Sequence, residues 1–504
     1  MPPRPVIASE FSALPLHDLA AICLASAREL QAEHADFRVE HLRTQTVSLR
    51  DSALVDASTG ADLGFAVRVV LDGTWGFAAG VALTRDEVIR VTEQAVTAAM
   101  VAKPITYERV ELADEPTYPD ATWVSSYGID PFTVATADKV ALLRDWSRQL
   151  QREAVVDHVA ASVHQVRENK FYADSSGTTT TQQRVRLYPQ LEVFGADTAR
   201  GLLDSMQTTV PPAGRGWEYL TGDGYDWDAE IGALPEHLAQ KLAAPAVEPG
   251  SYDLVIDPSN LWLTIHESIG HATELDRALG YEANYAGTSF ATVDNLGTLK
   301  YGSACMNVTG DRTVEHGLAT IGYDDDGVAT GQWDIIKDGV LVGYQTDRRM
   351  ARLMDWGRST GCAFADSSGH IPIQRMANVS LRPAAEDVST ADLISGVERG
   401  IYVVGDKSWS IDMQRYNFQF TGQRFYVIRD GELAGQLRDV AYQATTTDFW
   451  GSMEAVGGEG TWRLEGAFNC GKAQPGQVAP VSHGCPSALF RDVCVLNTSS
   501  EAGR

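Results

Sequence analysis

Cysteine is scarce: six residues (Cys23, Cys305, Cys362, Cys470, Cys485 and Cys494) are spread over 504 positions with no short repeated spacing. That excludes the disulfide scaffold on which small secreted domains depend. No run of about 18 apolar residues exists to cross a bilayer as a helix, and the opening MPPRPVIASEFSALPLHD lacks the apolar core of a signal peptide. A cytoplasmic protein with no membrane role is expected. Basic residues are few, 41 Lys and Arg against 67 Asp and Glu, giving a formal net charge of -26. A surface of that sign repels nucleic-acid phosphates and anionic lipid, so neither is an expected partner.

What is present suits a folded chain, with 44% hydrophobic and 21% charged residues. Its length is too great for one compact core, so two domains are expected, at 1–245 and 246–504. After a loose N-terminal arm, apolar spacing predicts helices over 16–33, 84–102 and 136–152. Strand-like alternation with turn signals such as Asp72-Gly73 fills 37–80, and alternation returns over 158–194. The segments VSLRDSALVDASTG at Val47 and VHQVRENKFYADSSG at Val163 hint at a repeated hairpin. LAAPAVEPG, from Leu242, reads as a linker. Beyond it the chain is mainly strand-like, with turns at Asp326-Gly327, Asp338-Gly339 and Asp430-Gly431 and one helix opening near Pro258. The fold class is therefore α+β: an N-terminal domain of helices and β-meanders, then a mainly-β domain carrying one active-site helix.

That helix carries the chemistry. LWLTIHESIGHATELD contains His266, Glu267 and His271 in the pattern H-E-x-x-x-H. Zincins use H-E-x-x-H, because side chains four apart share one helix face and both imidazoles reach one metal. A spacing of five on a regular α-helix leaves the rings about 140° apart, at about 100° per residue. An i to i+5 turn, a π-bulge, restores the alignment, so a local break or bulge is predicted between Glu267 and His271, with Gly270 as its natural place through backbone freedom. The plain alternative is a pair of polar residues satisfied at the end of a buried helix. Glu274 is read either as a partner of an imidazole N–H or as a solvated helix-end charge, and Asp276 as solvated.

Cys470 stands in GAFNCGKAQPGQVAPVSHGCPS, a glycine- and proline-rich stretch where a thiolate on a flexible loop beside Lys472 is a plausible soft ligand. Gly466, Gly471 and Lys472 also match the start of a phosphate-binding loop. That reading fails because Ala473 offers no hydroxyl and Pro475-Gly476 forbids the required helix.

HESIGHATELD at His266, YDDDGVATGQWDIIKDGVLVGYQTDR at Tyr323, RMANV at Arg375, RGIYVVG at Arg399 and CGK at Cys470 resemble, in order, the signatures of TldD/PmbA metallopeptidases. VSLRDSALVDASTG and VRVVLDGTWGFAAG, at Val47 and Val67, are similar to that family's N-terminal domain. The resemblance covers nearly the whole chain. It implies a zinc ion (Zn2+) held by His266, His271 and Cys470, with Glu267 as catalytic base. It also implies a dimer with a PmbA/TldE-like paralogue that lacks the metal motif, or with a second copy. Because every ligand position is kept, the chain resembles the catalytic TldD type. The stretch after CGK, with His483 and Cys485, and the segment KSWSIDMQRYNFQFTGQ at Lys407 depart from the family pattern.

Three protein ligands leave zinc's fourth position open to water, the arrangement of a catalytic site. The expected function is hydrolysis of peptide bonds in unfolded or short peptides, with that water as nucleophile and Glu267 as general base. The alternative is a non-catalytic, metal-stabilised binding or assembly subunit. Asp324, Asp325 and Asp326 are read as a hairpin turn and not a calcium loop, since Ile335 holds the position that needs a glutamate. His316, His370 and His483 are read as surface or hydrogen-bonded residues and not ligands, with a pocket-lining donor as the alternative for His483 alone.

Overall fold

The computed structural model describes residues 6–501; the first five residues of the N-terminal arm lie outside the described residues. Seven strands in the first half form one sheet: β1 (His34–Arg50), β2 (Ala53–Leu71), β3 (Thr74–Gly80), β4 (Ala121–Val124), β5 (His158–Asp174), β6 (Thr179–Asp197) and β7 (Leu202–Gln207). Their order is β3-β2-β1-β5-β6-β4, with β7 also paired to β6. Two hairpins of equal build, with strands of 17 and 19 residues each, meet along an antiparallel β1/β5 seam where Val47 faces Val163. That is the repeated hairpin hinted at by sequence. The quoted segments differ in where they meet their turns: the first spans Asp51-Ser52, whereas the second ends at its turn.

Helices cover this sheet because their apolar residues recur at helical spacing. In Arg85–Ala102, Val88, Val91, Ala95 and Ala99 are fully buried and pack on β2 and β3 with the helix Leu16–Glu29. Thr136–Leu150 and Trp227–Ala243 cover the β5–β7 end through a second apolar cluster in which Trp146 and Trp227 stack at 4.4 Å. Among the described residues no helix is long and apolar enough to cross a membrane.

The second sheet begins with β8 (Gly250–Ile256), flanked by Arg399–Ile411 in parallel and Ala488–Asn497 in antiparallel pairing. The order continues through Val440–Thr445 to Asn417–Arg429, and Arg399–Ile411 pairs with Asn417–Arg429 as well. Five strands thereby close into a ring, removing the free edges that an open sheet would leave. Asp72-Gly73, Asp338-Gly339 and Asp430-Gly431 all have both residues at positive φ, as two-residue primed turns require. The region is strand-rich as expected, yet three six-residue helices (Arg348–Leu353, Thr390–Ser395 and Thr446–Gly451) join the one predicted. Under two turns each, they are too short to show an apolar period.

The aspartate run forms a turn, with a bridge from Tyr323 to Ala329, but its carboxylates are buried. Asp325 accepts from Lys170 Nζ at 2.7 Å and faces Arg38, while Asp326 accepts from Arg68 Nη2 at 2.6 Å. The turn thus locks the first sheet onto the second half of the chain through paired charges that neither side could bury alone.

Candidate metal centre

Asp257 accepts from the Ser259 backbone N–H at 3.0 Å and starts the helix Pro258–Ile265, whose proline occupies the first turn. All eight residues are buried, so the helix enters the core instead of lying on the surface. From His266 to Gly270 it widens into a π-turn, and the His271 N–H returns to the His266 carbonyl. The wide turn brings the two imidazoles together, with ring centroids 4.7 Å apart. Gly270 serves it for a reason other than the expected one. Its φ is -52°, which any residue adopts, but an added Cβ would lie 2.5 Å from Met376 Sδ. The carbonyls freed by the π-turn are satisfied: Gln345 Nε2 donates to Gly270 O at 2.7 Å, and Tyr301 Oη donates to Ser268 O.

Hydrogen bonds fix which nitrogen each ring presents. His483 Nδ1 lies 2.8 Å from Val379 O, and a carbonyl only accepts, so that nitrogen carries the hydrogen and Nε2 is bare. His266 Nδ1 then donates to His483 Nε2 at 2.7 Å, leaving the His266 Nε2 lone pair free. His271 Nδ1 donates to Glu274 Oε2 at 2.8 Å, again freeing Nε2. Burial holds both rings neutral, pushing His271 down to about 3 and His266 well below its usual value. His483 is fully buried behind His266 and orients it; it does not line the pocket as a donor to substrate, as one reading of the sequence had it. Replacing His483 with Ala should weaken metal binding by about 10- to 100-fold, measured by competition against a chelator. Affinity equal to wild type would remove the orienting role.

Glu274 is the imidazole partner of the two readings offered for it, and Lys472 binds it at 3.3 Å. Asp276 is not solvated: it is buried and accepts from Lys472 Nζ at 2.7 Å, with Glu282 on the same ammonium at 3.4 Å. Lys472 therefore serves three carboxylates and no phosphate. Cys470 likewise sits on no flexible loop. It belongs to the strand Arg463–Ala473, paired with Gly476–Cys485, and is 3% exposed where the register shifts between Ala467 and Cys470. The cation beside its sulfur is Arg375, with Nη2 at 3.4 Å. Burial raises the thiol to about 11 despite Arg375, so metal binding must displace its proton.

His266, His271 and Cys470 place one ligand atom each within 4.8 Å of one another. Zinc bonds of about 2.0–2.1 Å to nitrogen and 2.3 Å to sulfur set tetrahedral neighbours roughly 3.5 Å apart. The observed His271 Nε2 to Cys470 Sγ distance is 3.6 Å, and two imidazoles with one thiol are a donor set that zinc favours, so the residues fit the ion. The triad opens on a cavity of about 610 Å³ that reaches from Cys470 to Gln207–Pro212 of the first half. Glu267 lines it, held by Arg415 Nη1 at 2.5 Å; burial raises its carboxyl, with Arg415 opposing. Sequence reasoning passed over Arg415 and Arg375, although each lies inside a segment it had singled out.

A model of the PmbA/TldA metallopeptidase C-terminal domain matches residues 249–497, and one of domain 1 matches 35–99. A metalloprotease of Synechocystis is 30% identical over 475 residues, spanning 92% of this chain and 95% of that protein. The chain belongs to the PmbA/TldD metallopeptidase family. Another relative of this PmbA/TldD member, a zinc metalloprotease TldD homolog of Saccharolobus solfataricus, is 22% identical over 92% of this chain and 96% of its own. Among solved structures, TldE from Thermococcus kodakarensis superimposes with a TM-score of 0.71 at 18% identity, covering 95% of this chain and 99% of that one. At that identity the likeness speaks for the fold alone.

Proposed function

We propose that this chain is a zinc-dependent peptidase of the catalytic TldD type, acting on unfolded or short peptides. The observation that carries the reading is the convergence of two bare Nε2 atoms and one thiol beside a buried carboxylate, all opening on one cavity. Zinc bound by His266, His271 and Cys470 would polarise the scissile carbonyl and acidify water at neutral pH. Glu267, next to a ligand in sequence yet turned into the cavity, takes the proton of the attacking water and passes it to the leaving amine. Glu274 and His483 hold the two imidazoles so that neither ring must reorient during turnover.

Among the described residues the strand Arg463–Ala473 pairs on one side only, and its residues 465–471 line the cavity. An extended peptide laid along that free edge gains main-chain hydrogen bonds with little demand on its side chains. A folded substrate offers no such free strand to the cavity. We further propose units at 1–245 and 246–504, and a dimer with a PmbA/TldE-like paralogue or a second copy. Six free thiols suit a reducing, cytoplasmic setting.

The non-catalytic reading draws on the same triad, since a metal there would staple the helix to a hairpin 199 residues later. Glu267 facing the cavity favours turnover. Stripping metal with a chelator should abolish cleavage of unfolded casein, and added zinc should restore it. Cleavage that survives metal removal, or that cuts a folded protein as fast as its unfolded form, contradicts the proposal.

A further inference from the structure

One cation at the metal centre has no part in the chemistry described so far. Arg415 sits at the tip of the hairpin joining Arg399–Ile411 to Asn417–Arg429, and it lines the cavity with His266, Glu267, His271 and Cys470. The tip is firmly built. Asp412 Oδ1 accepts from the backbone N–H groups of Gln414 at 3.1 Å and Tyr416 at 2.8 Å, and Oδ2 accepts from that of Asn417 at 3.1 Å. This fold of the chain puts Arg415 at a φ of 63°, a left-handed value that a non-glycine residue keeps only when its surroundings impose it. Thr288 and Phe290 N–H donate to the carbonyls of Met413 and Gln414, both at 3.0 Å, and Thr446 Oγ1 donates to Arg415 O at 2.8 Å. The guanidinium is delivered to the cavity by a pinned turn, not by a swinging surface side chain.

Its donors are only partly used. Nη1 donates to Glu267 Oε2 at 2.5 Å, whereas Nε is buried with no hydrogen-bond partner among the described residues. Arg415 lines the cavity beside Glu267, so guanidinium donors that Glu267 does not use are available to a ligand there. The reaction supplies one. As Glu267 takes a proton from water, its negative charge disappears, and negative charge develops on the carbonyl oxygen under attack. A cation largely shielded from water keeps a counter-charge by following that transfer.

We propose that Arg415 is a catalytic residue that donates to the scissile carbonyl oxygen as it becomes negative, exchanging Glu267 for the substrate. The assignment rests on the peptidase reading above. The proton taken by Glu267 goes to the amine nitrogen as the C–N bond breaks, and Arg415 keeps all of its own. Donors aimed at a developing oxyanion stabilise the transition state more than bound substrate.

The test uses the full-length, zinc-loaded chain with two probes: an amide heptapeptide and its phosphinic analogue, which carries the tetrahedral anion. Arg415→Gln should weaken calorimetric binding of the analogue by about 100-fold and lower kcat on the amide by about 100- to 1,000-fold. The KM for the amide should move by less than about threefold, with zinc content unchanged. Arg415→Lys should fall between, and it carries the test if the Gln variant misfolds. An equal weakening of analogue binding and of the KM for the amide, with kcat unchanged, overturns the proposal. So does a defect confined to peptides with a free terminal carboxylate and absent from their C-terminal amides, which would make Arg415 a terminus clamp. A wild type that holds no zinc or cleaves nothing defeats the peptidase reading itself. A cleaving wild type matched by Arg415→Gln defeats only the role of Arg415.

Discussion

Glu267→Gln should lower turnover of an unfolded peptide by about 100- to 10,000-fold while leaving zinc content at the wild-type level. The substitution keeps the volume and one acceptor oxygen but removes the group that can take a proton. Arg415 can still donate to the amide oxygen, so the guanidinium keeps a partner and the fold should hold. Glu267 is not among the three residues whose donor atoms cluster, so loss of the carboxylate should not release the ion. Steady-state kinetics beside metal analysis reads both effects. Wild-type turnover in Glu267→Gln would mean that the carboxylate is no base and would favour the stapling reading.

Cys470→Ser should lower zinc affinity by more than about 100-fold and take peptidase activity with it, because a hydroxyl does not replace a thiolate as a soft ligand. The pocket itself should survive. Arg375 Nη2 donates to Cys470 O at 2.6 Å, a backbone contact that serine keeps, and the strand pairing to Ala479 is also backbone. Chelator competition, with thermal unfolding of the metal-free chain as control, separates lost ligation from lost fold. A Cys470→Ser chain that retains stoichiometric zinc at wild-type affinity would show the sulfur to be a bystander.

How far the site was legible differs residue by residue. The distortion at His266–Gly270 could be read because five-residue spacing and a regular α-helix are geometrically incompatible, which is a local fact. The role of Gly270 could not, since Met376, the atom neighbour that demands a missing Cβ, arrives from 106 positions later. Cys470 was named as a soft ligand from its glycine-rich neighbourhood beside Lys472, and the family resemblance joined it to the two histidines. Its burial in a strand was hidden by glycine and proline, which signal loops but here stand in a hairpin of β-type backbone. Asp276 was misplaced toward solvent because acidic residues are usually exposed, and only tertiary pairing, here with Lys472, overrides that prior. The long hairpins and the helices Leu16–Glu29, Arg85–Ala102 and Thr136–Leu150, by contrast, are set by periodicity over many residues and emerged close to their observed bounds, whereas Trp227–Ala243 was given no bounds.

The central claim is that two imidazoles from a π-turn and one sulfur from a distant hairpin hold a single ion. X-ray absorption of the zinc-loaded wild-type chain tests it most directly. The account predicts one sulfur at about 2.3 Å and two imidazole nitrogens at about 2.0–2.1 Å. A zinc shell without sulfur, or a chain that takes up no stoichiometric zinc, would contradict it.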